Sequence, residues 1–134
     1  MTLKWEGLTG TIIGAAMEVH RCLGPGFVEV IYKNALFHEL SLRDLAISSE
    51  LTVSIVYKDK IVGKHRIDLL IENQVKVELK AASAIIPVHA SQVLSYLKAT
   101  SIPIGLLINF GESKLVWKRF ISTSKSGTSA TNNP

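Results

Sequence analysis

The sequence has few cysteines and no long apolar run. Its 134 residues include one cysteine, Cys22, so no intrachain disulfide can form, and a reducing compartment fits this composition best. The opening MTLKWEG lacks the apolar segment of a secretion signal. No uninterrupted apolar stretch approaches the roughly 20 residues needed to cross a bilayer. We therefore expect a cytoplasmic protein that is neither secreted nor inserted in a membrane.

The composition is that of an ordinary globular domain. Hydrophobic residues make up 47% and charged residues 19% of the chain, which argues against a disordered or fibrous protein. The net charge of +4 is mild; it permits a polyanionic partner without requiring one. The basic residues in the middle of the chain are concentrated in one stretch: Lys58, Lys60, Lys64, Arg66, Lys76 and Lys80.

Hydrophobic periodicity predicts a mixed α/β domain. Apolar residues recur at helical spacing over 9–23 and again from 27 to about 44, and Gly24-Pro25-Gly26 separates the two helices. Strand patterns and turn residues then predict the remaining elements: strands over 51–57, 61–71 and 75–80, a helix from 87 to about 100, and strands over 104–110 and 115–121. The order is ααβββαββ within one domain, residues 1–121. Residues 122–134, rich in Ser, Thr and Asn, are expected to form a disordered tail.

The second and third strands carry the most informative polar residues. Glu72-Asn73-Gln74 is short enough for a hairpin, and pairing centred on Asn73 places Asp68 opposite Glu78. Strand alternation predicts that Ile67, Leu69 and Ile71 share the face opposite to Asp68.

Two facing carboxylates repel each other unless a positive group lies between them. Lys80 or a metal ion could supply that charge. Mg²⁺ takes oxygen ligands, commonly one or two carboxylates with water and phosphate. Lys80, one pleat from Glu78, could direct its ammonium at the attacking water or the phosphate. The hairpin therefore suits a divalent metal, Mg²⁺ or Mn²⁺, held against a phosphodiester.

The predicted third helix contributes a polar stripe. Gln92 and Tyr96 are four residues apart, and His89 precedes Gln92 by three, so all three lie on one face. This stripe could orient Lys80 or contact the backbone of a nucleic acid.

The run Gly26-Phe27-Val28-Glu29-Val30-Ile31-Tyr32 resembles the GxxExxY motif of a family of small, mostly bacterial proteins, and the resemblance extends from about residue 8 to 121. That family is similar to the PD-(D/E)XK nuclease superfamily, whose Asp and Glu-x-Lys pattern maps onto Asp68, Glu78 and Lys80. In an exonuclease-like branch a Gln-x-x-x-Tyr helix follows, here Gln92 to Tyr96.

The resemblance implies a restriction-endonuclease-like core in which a central mixed β-sheet is flanked by helices. It implies a Mg²⁺-dependent phosphodiesterase with Asp68 and Glu78 as metal ligands, Lys80 as the catalytic lysine and Glu29 joining the metal site. Nucleic acid, DNA or RNA, would be the substrate.

Two further hypotheses stay open. The chain could be a non-catalytic module that binds nucleic acid or protein, or Asp68, Glu78 and Lys80 could form a structural charge network, in which case removing Lys80 should destabilise the fold. The small surface also leaves a homodimer open. Tyr32 suits packing as well as function, and His65 is expected on the strand surface.

Overall fold

Helices and strands follow one another in the predicted order ααβββαββ. The structure, a computed structural model, describes residues 6–122. The elements are α1 (Glu6–Leu23), α2 (Glu29–Leu42), β1 (Ile47–Tyr57), β2 (Lys60–Ile71), β3 (Val75–Lys80), α3 (Pro87–Thr100), β4 (Ile104–Asn109) and β5 (Val116–Ile121). Of the predicted tail, residues 123–134 lie outside the described part.

Glycine and proline set the helix boundaries. After α1, Gly24 and Gly26 adopt φ values of +69° and +118°, a region that glycine enters without steric cost, and α2 starts three residues later. Pro87 occupies the first turn of α3, where no intrahelical N–H is lost. Within residues 6–122, none of the helices is both long and apolar enough to cross a membrane.

One five-stranded mixed sheet forms the centre, in the order β1-β2-β3-β4-β5. Neighbouring strands are antiparallel except β3 and β4, which are parallel and joined through α3. Leu106 packs in a core with α1 and α2, whereas the adjacent Leu107 packs with Val93 and Leu97 of α3. Because successive strand residues point to opposite faces, helices cover both faces of the sheet, as predicted.

Strand β2 changes the direction of its side chains at Asp68. Leu69 packs in the core beneath α1 and α2, whereas Ile67 packs in the core beneath α3. The prediction that Ile67, Leu69 and Ile71 share one face is therefore wrong. Glu50 of β1 lies at the same level with φ +57°, so the irregularity affects both strands.

Candidate active site

The β2–β3 hairpin has the predicted register. Leu69 pairs with Val77 and Ile71 with Val75, so the hairpin is centred on Asn73. Glu72 and Asn73 have φ values of 54° and 55°, as in the centre of a type I′ turn, and the Gln74 N–H closes this turn on the Ile71 carbonyl at 3.0 Å.

Asp68 lies where the two strands separate. The recorded β2–β3 pairs end at Leu69 and Val77, and the side chain of Asp68 bridges the strands instead. Its Oδ2 accepts a hydrogen bond from the backbone N–H of Leu79 at 3.0 Å. The carboxylate is therefore fixed beside β3, at the level of Glu78 and Lys80.

Glu78 is paired with a lysine, but the lysine is Lys76. The distance from Lys76 Nζ to Glu78 Oε1 is 2.5 Å, and the Lys76 side chain is 1% exposed against 23% for Glu78. Lys76 thus supplies the positive charge that we expected from Lys80 or a metal. Lys80 is half-buried, and its ammonium makes no hydrogen bond or ion pair with any residue in 6–122, so it is available to a ligand.

Two aromatic rings cover Lys76. Tyr96 of α3 places its ring centroid 5.8 Å from Lys76 Nζ, and the ring stacks on His65 with 3.5 Å between centroids and 7° between planes. His65 is consequently buried, so the expectation that it lies on the surface is wrong. The alternation of residues along β2 could not show that a helix later in the chain covers this face.

The surroundings of His65 disfavour its charged form. Burial is the main cause that lowers the pKa of His65, and the nearby Lys76 ammonium lowers it further, while Glu78 and Asp68 act in the opposite direction. His65 Nε2 is buried without a hydrogen-bond partner in the described part of the chain. These surroundings favour the neutral imidazole, which stacks on the Tyr96 ring above Lys76.

The three stripe residues of α3 are placed differently. Tyr96 joins the buried cluster, whereas Gln92 is exposed and makes no hydrogen bond to Lys80. His89 Nδ1 accepts a hydrogen bond from the backbone N–H of Ile86 at 3.3 Å, which caps the start of α3. The structure thus brings Tyr96 to Lys76 and leaves the Gln92 side chain towards solvent.

A cleft lies beside Asp68, between α2 and the outer hairpin. Its volume is about 330 Å³, and its charged lining residues are Glu29, Lys33, Glu50, Arg66 and Asp68. Glu29 and Asp68, two predicted metal ligands, therefore share this cleft, whereas Glu78 does not line it. Lys33 Nζ and an Arg66 guanidinium nitrogen lie 2.5 Å and 3.3 Å from Glu50 Oε2. The hydrogen bond from Lys33, followed by the charges of Lys33 and Arg66, lowers the pKa of Glu50.

The chain beyond Lys80 is held by a buried amide. Asn109 pairs with Lys80 across the parallel β3–β4 ladder, and its side chain exchanges hydrogen bonds with Ala82, donating to the carbonyl at 2.9 Å and accepting from the N–H at 3.0 Å. The same side chain donates to Glu112 Oε2 at 2.8 Å. Lys80 therefore stands at a rigid strand end.

Tyr32, the last residue of the GxxExxY run, has a packing role. Its ring is buried and stacks on Phe110 with 4.6 Å between centroids. Its hydroxyl donates to the Gly24 carbonyl and accepts from the Phe27 N–H. Tyr32 therefore fixes the loop between α1 and α2, whereas Glu29 of the same run is exposed in the cleft.

Sequence reasoning missed Lys76, Lys33 and Asn109 as parts of this region. Asn109 ends an otherwise apolar strand, IGLLIN, and that pattern could have indicated it. Lys76 and Lys33 are buried at 1% and 8% exposure, and nothing in their spacing distinguishes them from ordinary surface lysines.

The oxygen donors suit a hard cation. Asp68 and Glu78 stand at the same level of adjacent strands, and one or two carboxylates completed by water are typical of Mg²⁺ sites. Among residues 6–122, no three His, Cys, Asp or Glu side chains lie close enough together to hold a metal by themselves. The residues present therefore offer an ion at most two neighbouring carboxylates, and water and substrate would have to complete its shell.

Comparison with known proteins agrees with this architecture. A family model described as the PD-(D/E)XK nuclease superfamily matches residues 6–120. A solved structure described as "Crystal structure of SSO0001" resembles the chain with a TM-score of 0.55 and 16% sequence identity. The alignment covers 89% of this chain and 60% of that one, so the chain spans less than two thirds of that protein, and the likeness concerns the fold alone. No curated protein matches significantly.

Proposed function

The chain belongs to the PD-(D/E)XK nuclease superfamily, and we propose that it is a metal-dependent nuclease that hydrolyses phosphodiester bonds in nucleic acid. The observation that carries the proposal is the position of Asp68 at the separation of β2 and β3, where Leu79 N–H fixes its carboxylate beside Glu78 and Lys80. A polar site at the open end of a hairpin is accessible to an extended substrate.

Asp68 and Glu78 would hold Mg²⁺ or Mn²⁺, and Glu29, which lines the same cleft as Asp68, would act through a bound water, because no three such side chains in residues 6–122 lie close enough to hold an ion together. When bound, such an ion neutralises phosphate charge and acidifies a water molecule. Lys80 donates hydrogen bonds from its ammonium to the attacking water or to a phosphate oxygen, because no described residue competes for it. Gln92 and His89 of α3 would contact the substrate, and Tyr96 would support the site through Lys76.

Lys76 acts on Glu78 before any ligand arrives. Its ammonium neutralises the Glu78 carboxylate at 2.5 Å and so reduces the repulsion between Glu78 and Asp68. One Glu78 oxygen is engaged in this pair, and the second is left for a ligand, because a carboxylate has about four acceptor positions. Lys76 is therefore a positioning residue in this proposal.

Calorimetric titration with Mn²⁺ and with Mg²⁺ tests the metal site directly. We expect heat of binding for the natural protein and for Asp44→Asn, since Asp44 is exposed and distant along the chain from the site. We expect little or none for Asp68→Asn and Glu78→Gln. Equal heats in all four proteins would contradict the assignment of Asp68 and Glu78.

A non-catalytic binding module is the second candidate. It is favoured by the pairing of Glu78 with a buried lysine, which already neutralises one of the two carboxylates. Binding of nucleic acid without cleavage, whichever metal is supplied, would support the module.

Two finer assignments belong to the same proposal. The GxxExxY motif at residues 26–32 supports assignment to the GxxExxY family, and the single cysteine, Cys22, supports a reducing cytoplasm.

A further inference from the structure

The outer part of the β1–β2 hairpin extends beyond the rest of the sheet. Strands β1 and β2 pair from Ile47 and Ile71 out to Tyr57 and Lys60, whereas the recorded pairs between β2 and β3 end at Leu69. Beyond that level, in the described structure, the hairpin has two strands only. We refer to residues 52–66 as the basic arm.

The basic arm carries most of the net charge of the chain. It contains four cationic side chains, Lys58, Lys60, Lys64 and Arg66, and one carboxylate, Asp59, which leaves +3 of the total of +4. All four cationic residues are exposed. A positive field of this kind attracts polyanions.

The two faces of the basic arm differ. Val53 packs against the core beneath α3, and its partner His65 stacks on Tyr96, so this face is turned towards α3. Strand alternation places Lys64 on the other face, together with its partner Ser54.

The polar face of the basic arm leads to the candidate active site. Arg66, which pairs with Thr52, follows Lys64 by two residues and lines the cleft that contains Asp68. Lys64 and Arg66 lie on one face of β2, roughly 6.6 Å apart, since a strand rises by about 3.3 Å per residue. Arg66 and Asp68 line the same cleft, so these cationic side chains lead to the carboxylate that would hold the metal.

The length of the basic arm suits a nucleic-acid backbone. Lys60 precedes Asp68 by eight residues, so the tip lies up to about 26 Å from the site. Each strand of duplex DNA carries one phosphate per ~3.4 Å of helix axis, so this distance corresponds to roughly seven or eight base pairs. The register of β1 and β2 shifts between Ile55 and Val56, and Val62 has no partner in β1, so the basic arm offers phosphate contacts at two places, Lys60 at the tip and Lys64 nearer the cleft.

We propose that the basic arm binds the phosphate backbone of the nucleic acid on one side of the cleavage point, through Lys60 and Lys64, whereas Arg66 is already paired with Glu50 at 3.3 Å. The inference rests on the proposed function for its substrate. It adds an interaction surface outside the metal site, and that surface carries no base-specific pattern. Binding should therefore depend strongly on the salt concentration and only weakly on the nucleotide sequence.

Charge favours nucleic acid over a second copy of the chain. The tip also exposes Val56, Tyr57, Ile61 and Val62 at 59–61%, which could pack against another protein. Pairing two identical arms would bring their lysines together, and like charges across strands are destabilising. Tyr57, with Lys58 Nζ 5.4 Å from its ring, offers instead an aromatic surface on which a base can stack.

Fluorescence anisotropy with a labelled 20-base-pair duplex and the matching single strand, in EDTA to prevent cleavage, tests the proposal. The natural protein is compared with Lys60→Ala/Lys64→Ala and with a control, Lys98→Ala/Lys114→Ala, which removes the same charge at exposed positions elsewhere. Affinity is measured at several salt concentrations between 50 and 200 mM. The arm variant should bind the duplex on the order of tenfold more weakly at low salt, and the slope of log K against log salt should be smaller by about 2. The control should follow the natural protein.

Hydrolysis of bis(p-nitrophenyl) phosphate with Mn²⁺ separates this inference from the proposed function. That small diester reaches only the metal site, so the arm variant should hydrolyse it at the natural rate while losing affinity for the duplex. No hydrolysis by any variant, with binding still dependent on the basic arm, would refute the nuclease and leave the interaction surface supported. Unchanged affinity and salt slope in the arm variant, or an equal loss in the control, would overturn the inference. The inference would also be overturned if the arm variant changed the monomer–dimer equilibrium in analytical ultracentrifugation without changing its affinity for the duplex. That result would assign the basic arm to self-association.

Discussion

Replacing Lys76 with alanine should destabilise the protein far more than replacing Lys80. Lys76 is 1% exposed and contacts Glu78 at 2.5 Å, with the Tyr96 ring above it. The substitution leaves the Glu78 carboxylate without its partner. Lys80 has no such partner within residues 6–122, so its truncation should change little beyond local solvation.

The magnitude follows from the burial of the pair. Removing one partner of a fully buried ion pair costs about 3–5 kcal/mol. The Glu78 side chain is 23% exposed and keeps some hydration, so we expect about 3 kcal/mol for Lys76→Ala. Lys80→Ala should change the free energy of unfolding by less than about 0.5 kcal/mol.

Urea denaturation measures both variants, and a double-variant cycle separates the charge effect from packing. Lys76→Met with Glu78→Gln removes both charges and keeps the side-chain volume, so it should recover much of the stability lost in Lys76→Met alone. A Lys76→Ala variant as stable as the natural protein, with Lys80→Ala strongly destabilised, would refute the assignment and restore the network centred on Lys80.

Three further predictions concern stability. The pKa of His65 is lowered from 6.5, by burial first and by Lys76 second. As pH drops below 6.5 the unfolded chain therefore takes up the proton before the folded chain does, and the free energy of unfolding should fall. His65→Phe should abolish this part of the pH dependence in denaturation curves at pH 5–8. Tyr32→Phe leaves the half-buried Gly24 carbonyl without its donor and the Phe27 N–H without its acceptor, and it should lower the free energy of unfolding by about 1 kcal/mol, measured in urea. A Cβ on Gly111 would collide with the backbone of Ala82, so Gly111→Ala should lower the melting temperature by an amount corresponding to about 2–3 kcal/mol; an unchanged value would contradict the close approach.

The helices and strands were predictable because the apolar residues of each recur at a clear spacing and because glycine, proline or polar turn residues mark where each ends. The stop at Gly24-Pro25-Gly26 separates α1 from α2, and the turn at Asn73 fixes the register of β2 and β3. These are local properties, read from a few neighbouring residues. The order ααβββαββ follows from them, whereas the mixed sheet was expected from the family resemblance.

The buried cluster was not predictable in the same way. Lys76 and His65 occupy polar positions of strands, and only the packing of Tyr96 across that face buries them. The change of side-chain direction at Asp68 likewise depends on the irregular position of Glu50 in the neighbouring strand. Contacts between residues distant in sequence decide these features, and neither strand shows them alone.

Cleavage of labelled single-stranded and double-stranded DNA and RNA, with Mg²⁺ or Mn²⁺, tests the central claim most directly. The natural protein is compared with Lys80→Ala, which should fold normally because its side chain has no partner in the described structure, and with the control Lys114→Ala. We predict that the natural protein and the control cleave at least one of these polymers and that Lys80→Ala does not. Cleavage by Lys80→Ala at the natural rate, or no cleavage by any of the three with either metal, would contradict the nuclease assignment.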